Sequence, residues 1–161
     1  MSKGTADQLG ISGHHRVNIV KAEKWFRIGS WAIYPFETIH DAAEPLGFLC
    51  VSGYEKLLYA TDTAYIKPRF DGLTHLMVEC NYSLEILRES VRAGDIPPAH
   101  KNRVMKSHMS LETLKGFLEA NDLSKVQEIW LLHLSNGNSD EDGFKRSVEG
   151  WTGKIVKVAR E

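Results

Sequence analysis

Cysteine, long apolar runs and any excess of one charge are scarce in this chain, and each scarcity removes a class of protein. Only two cysteines, Cys50 and Cys80, occur in 161 residues. Each sits inside an apolar run, and their spacing is not that of a metal motif. They read as buried free thiols of a cytoplasmic protein rather than a disulfide. No apolar run reaches the ~18 residues of a membrane span, and Met1-Ser2-Lys3-Gly4 lacks the apolar core of a secretion signal. Neither sign of charge dominates: 20 Lys and Arg against 21 Asp and Glu leave a formal net charge of −1. That balance gives no drive for indiscriminate binding to nucleic acid or membranes, although it permits a local basic groove. No internal repeat, low-complexity tract or long linker divides the sequence. Residues 1–161 are therefore expected to form one domain, and 42% hydrophobic composition supplies a real core.

Strand-like patterns come first. Val17 to Val20 alternates, as does Trp25-Phe26-Arg27-Ile28, with Gly29-Ser30 turning into Trp31 to Phe36. Leu46 to Val51 and Lys56 to Ala60 flank Ser52-Gly53-Tyr54-Glu55 as a hairpin. Leu73 to Glu79 holds a further strand. Trp25, Trp31, Phe26 and Phe36 read as core. The period then changes. Ser83 can cap a helix carrying Leu84, Leu87 and Val91 and ending near Gly94, and Ile96-Pro97-Pro98 reads as a break. Ser110 can cap a helix with Leu111, Leu114, Phe117 and Leu118 on one face. Val126 to Leu134 reads as a buried strand, Ser139 or Asp140 as the cap of a last helix, and Lys154 to Val158 as a closing strand. The expected architecture is α/β, with antiparallel strands first and alternating helices and strands after.

Three apolar runs end on potential metal ligands. Thr38-Ile39-His40-Asp41 is the first, Tyr59-Ala60-Thr61-Asp62-Thr63 the second, and Trp130-Leu131-Leu132-His133-Leu134-Ser135 the third. Imidazole nitrogen and carboxylate oxygen suit zinc or manganese, and loops at strand ends can converge on one point. His14, His15, His75 and His100 lack this placement and read as surface or structural groups. Lys67, Arg69, Arg92, Lys101, Arg103 and Lys106 read as solvated cations that could meet phosphate only if they faced the site.

The series His40-Asp41-Ala42-Ala43-Glu44-Pro45-Leu46-Gly47-Phe48, then Ala60-Thr61-Asp62-Thr63, then Leu132-His133-Leu134-Ser135 resembles the metallo-β-lactamase-fold hydrolases, closest to their phosphodiesterase and nuclease branch of small phage and bacterial type. The resemblance implies an αββα sandwich. It implies that His40 is a ligand of one metal, that Asp62 bridges two, and that His133 is a ligand of the other. Two such ions, zinc or manganese, would activate water and clamp the oxygens of an attacked phosphodiester. Val78-Glu79-Cys80-Asn81-Tyr82 and Ser107-His108-Met109-Ser110 resemble the paired loops of the transfer-RNA end-processing enzymes. Carried over, Glu79 would orient the imidazole of His108, which would act as a general acid on the leaving oxygen. Cys80 and Asn81 replace the small residues usual there, so the substrate within that branch stays open: a nucleotide, an RNA end or a small phosphodiester.

The His-x-His-x-Asp-His signature of that family is not in this sequence. The expectation is a partial fold, the C-terminal two-thirds, in which each metal keeps two ligands where catalytic zinc normally keeps about three. Partial or no metal occupancy would follow, with an apolar sheet face left open. A complementing N-terminal fragment or a homo-oligomer would then restore the site. The alternative is a non-catalytic interaction module with a degenerate site, and a truncated reading frame is a third reading.

Overall fold

The structure, a computed structural model, describes residues 1–159. Seven strands form one sheet in sequence order: β1 (Phe26–Ile28), β2 (Trp31–Glu37), β3 (Leu46–Ser52), β4 (Glu55–Ala60), β5 (His75–Glu79), β6 (Glu128–Leu132) and β7 (Ile155–Val158). Neighbours are antiparallel from β1 to β4 and parallel from β4 to β7. The tight turn at Gly53 serves the antiparallel part, whereas parallel neighbours need crossovers. Helices α2 (Leu84–Ala93), α3 (Pro98–Ser107) and α4 (Leu111–Glu119) lie between β5 and β6, and α5 (Glu141–Thr152) lies between β6 and β7.

Alternation along the strands builds the core. Tyr34, Leu49, Leu58, Leu76, Ile129 and Val156 share one register row. They pack with Leu114, Phe117 and Leu118 of α4 and Phe144 and Val148 of α5. Gly47 belongs to this face because the Phe36 ring lies over it, where any Cβ would collide. The helix caps follow local chemistry. Ser83 accepts from the Glu85 and Ile86 amides, Ser110 from Thr113 and Asp140 from Gly143. At the end of α2, Gly94 takes φ 86, a left-handed conformation that a Cβ would penalise. The opposite face of the sheet carries a row of Pro35, Phe48, Tyr59, Met77, Trp130 and Lys157. Except for Pro35 and Lys157 these side chains are half-buried.

Several expectations change. Val17 to Val20 is not a strand: turn hydrogen bonds fold this segment, and the Val20 amide donates to the Met1 carbonyl. A short helix, α1 (Lys3–Gln8), starts the chain, capped by Ser2. Pro97-Pro98 is no simple break, because Pro98 stands in the first turn of α3, where its missing N–H costs nothing. Trp25 and Trp31 are 56% and 41% exposed rather than core, since they lie beside or at the end of the narrow β1–β2 edge. Cys50 and Cys80 are both free thiols, half-buried and buried respectively. No helix among the described residues is long and apolar enough to cross a membrane.

Candidate metal site

Strand direction gathers the site. Because β2 and β4 are both antiparallel to β3, they run the same way, and β5 and β6 are parallel to β4. The C-terminal ends of β2, β4, β5 and β6 therefore share one edge, where loops can converge. His40 follows β2, Asp62 follows β4, Glu79 closes β5 and His133 follows β6. His108 arrives from the end of α3.

Glu79 is the buried centre of this group, with 0% exposure. Its Oε1 lies 2.7 Å from His108 Nδ1 and 3.0 Å from His133 Nδ1. Its Oε2 accepts from the Thr63 amide at 2.6 Å and the Met109 amide at 3.4 Å. Burial pushes the carboxyl up, but the hydrogen bonds from His108, His133 and Thr63 outweigh it and hold Glu79 below the usual carboxylate range. An ionised carboxylate only accepts, so both Nδ1 atoms carry protons. The lone pair of each neutral ring then lies on Nε2.

Asp62 completes the opening of the site. Its Oδ1 stands 3.6 Å from His133 Nδ1 and 3.8 Å from His40 Nε2. Asp62 and His133 have φ of 50° and 55°, left-handed conformations uncommon for residues with a Cβ. Each is clamped by a neighbour to which the sequence pattern gives no role of its own. Thr63 accepts the Ile39 amide on its hydroxyl at 3.0 Å and donates that hydroxyl to the Tyr65 carbonyl at 2.8 Å, joining the His40 and Asp62 loops. Asn81 donates its side-chain amide to the His133 carbonyl at 2.8 Å. Farther along, the Asn81 amide donates to Met109 and the Leu111 amide to Tyr82, which fixes the loop bearing His108.

The donor set suits a divalent cation. One ligand atom from each of Asp62, Glu79, His108 and His133 lies within 4.8 Å of the others, close to the spacing of ligands around a bound ion. His40 sits outside that tight group and meets it through Asp62. Glu79 is the member that fits a ligand role least, because its oxygens already serve four donors. Asp62, half exposed, faces outward.

The seven-stranded mixed sheet with its helices, and acid and histidine at one edge, defines the class: the chain has the metallo-β-lactamase fold. It superposes on zinc-bound PqqB from Methylobacterium extorquens with a TM-score of 0.69 at 14% identity, covering 99% of this chain and 61% of that one. The metallo-β-lactamase fold protein YhfI from Bacillus subtilis gives 0.62 at 15% identity, with 89% and 52% covered. In sequence the chain is similar to exodeoxyribonuclease YycJ of Bacillus anthracis, 28% identical over 126 residues, 74% of this chain and 46% of YycJ. Exodeoxyribonuclease WalJ of Streptococcus pneumoniae is 26% identical over 137 residues, 81% of this chain and 49% of WalJ. The chain thus spans about half the length of the curated relatives it matches. No family model matches it.

Proposed function

We propose that this chain carries the cleaving side of a metal-dependent hydrolase that acts on nucleic-acid phosphodiesters. The observation that carries the reading is the pair of histidines on one buried carboxylate, beside an outward-facing aspartate at the same sheet edge. Similarity to two exodeoxyribonucleases supports the substrate class, DNA in particular.

In this reading His40 with Asp62, and Asp62 with His133, would hold two zinc or manganese ions, which would supply an activated water and charge neutralisation at the attacked phosphorus. Glu79 keeps the Nδ1 side of His108 occupied, which turns the Nε2 side towards other partners. As imidazolium, His108 hands its Nε2 proton to the leaving oxygen. Glu79 also orients His133 from behind, as outer-shell carboxylates do for ligand histidines. Two protein ligands per ion fall short of the usual three, so full occupancy would need further ligands, from a complementing segment or a second copy.

The test is metal binding followed by hydrolysis. Added manganese or zinc should raise the Tm of the chain in proportion to the logarithm of free metal, and Asp62→Ala should remove that rise. Hydrolysis of bis-p-nitrophenyl phosphate should appear with metal, alone or on adding a complementing N-terminal fragment, and should vanish in Asp62→Ala. A metal response identical in the variant, or hydrolysis insensitive to it, would overturn the reading. A metal-indifferent chain with no hydrolysis under either condition would instead mark a non-catalytic module.

A further inference from the structure

The basic residues of α3, which look solvated from sequence alone, fall beside the site. Between the His40 loop and α3 lies a cavity of about 440 Å³, lined by Ile39, His40 and Asp41 on one side and by Asn102, Arg103 and Lys106 among the residues on the other. Cavities of this size take a small ligand or part of a larger one. This one shares His40 with the site and also reaches Ser107, the residue before His108. A group seated in it would therefore lie next to both walls of the reactive edge.

Its charge is specific. Arg103 Nε is held by Asp41 Oδ2 at 3.0 Å, so those two lining charges largely cancel. Lys106 makes no ion pair among the described residues and is exposed. The whole of α3 carries Lys101, Arg103 and Lys106 and no acidic residue. Val104, buried against Tyr82 and Leu87, seats the helix and fixes where the Asn102–Lys106 wall stands.

We propose that this cavity receives a phosphate of the nucleic-acid strand adjacent to the bond being cleaved, with Lys106 as the principal cation and Asn102 and Arg103 as hydrogen-bond donors. The inference rests on the phosphodiesterase reading of the neighbouring site. Charge attraction through a single ammonium fits a phosphate and is indifferent to the base, so the subsite favours a polynucleotide over a phosphodiester with no neighbour.

Binding of an end-labelled oligodeoxythymidylate to the chain, read by fluorescence anisotropy in chelator across a salt series, tests it without catalysis. Lys106→Gln should raise Kd several-fold and lower the slope of log Kd against log salt by about one. Lys101→Gln, on the same helix but off the cavity, should leave both unchanged, with circular dichroism confirming that both variants fold. Equal Kd and slope for wild type and Lys106→Gln, equal weakening by Lys101→Gln, or no oligonucleotide binding by the wild type would each overturn the subsite. The hydrolase reading is judged separately by metal-dependent hydrolysis. Its failure alongside Lys106-dependent binding would leave a strand-binding cavity without the cleavage.

Discussion

His108 and His133 meet Glu79 at 2.7 and 3.0 Å, whereas His40 and His133 stand 3.8 and 3.6 Å from Asp62. The first set is a wall built on a buried carboxylate whose four donors all lie within the protein. The second is an open wall with opposed groups held near one another but not joined. Burial accounts for the difference. A carboxylate removed from water must find donors or lose its charge, and Glu79 finds four. Asp62 keeps contact with water, so with one hydroxyl donor, Thr61 at 3.3 Å, it needs no buried partners and stays able to take a cation. The buried wall sets geometry, and the open wall keeps binding capacity.

The largest break in this comparison comes from Glu79→Ala. It removes one acceptor from two imidazoles and two backbone amides, so the loss should be about 3–5 kcal/mol by analogy with breaking a buried pair. Urea unfolding would measure it. A loss under about 1 kcal/mol would mean the four donors find water instead. The same group, as the buried carboxylate among those held low, contributes to the acid sensitivity of the metal-free chain. Its folded carboxyl lies below the usual range, despite burial pushing it up, because His108, His133 and Thr63 donate to it. The sign follows: this stabilisation is full above the unfolded carboxyl's range and is lost as pH falls through the lower folded value. A Tm–pH curve of the wild type should drop more steeply on the acid side than that of Glu79→Gln. Parallel curves would place the acid sensitivity elsewhere.

Asn81→Ala should come next in size, at about 1–3 kcal/mol, by leaving the His133 carbonyl without its side-chain donor. A more specific sign is expected in metal affinity, which should fall because the left-handed backbone at His133 loses its clamp. An unchanged metal-induced Tm rise in this variant would show that the backbone holds itself.

The difference between the walls also explains what was legible in the sequence. His40, Asp62, Glu79 and His133 each end or follow an apolar run, and strand direction alone brings such positions to one edge. The long elements were readable because alternation, caps and Gly94 agree with one another. Thr63 and Asn81 were not readable as clamps, since they act through contacts between loops distant in sequence. Helix α3 was hidden by Pro97-Pro98, whose usual meaning as a break yields to the N-terminal tolerance of proline. Val17 to Val20 misled because a four-residue alternation carries too little information to outweigh a turn. The Trp25 and Trp31 misplacement has a similar source: residue type indicates burial only when the sheet continues past it, and β1 is the edge.

The smallest stability effect is expected on the open wall, at the Arg103–Asp41 pair. Its side chains are 70% and 49% exposed, and exposed pairs are screened by solvent and cost side-chain entropy to hold. Asp41 is nevertheless held below the usual carboxylate range, chiefly by the hydrogen bond from Arg103, so the contact is formed. Arg103→Ala should leave the Tm within experimental scatter. Its consequence should show in the cavity, where Asp41 would face the His40 side without a counter-charge. Oligonucleotide affinity should fall and become less salt-dependent, while folding stays the same. If Arg103→Ala lowered the Tm as far as Asn81→Ala does, the open wall would be as structural as the buried one, and the division of labour between them would not hold.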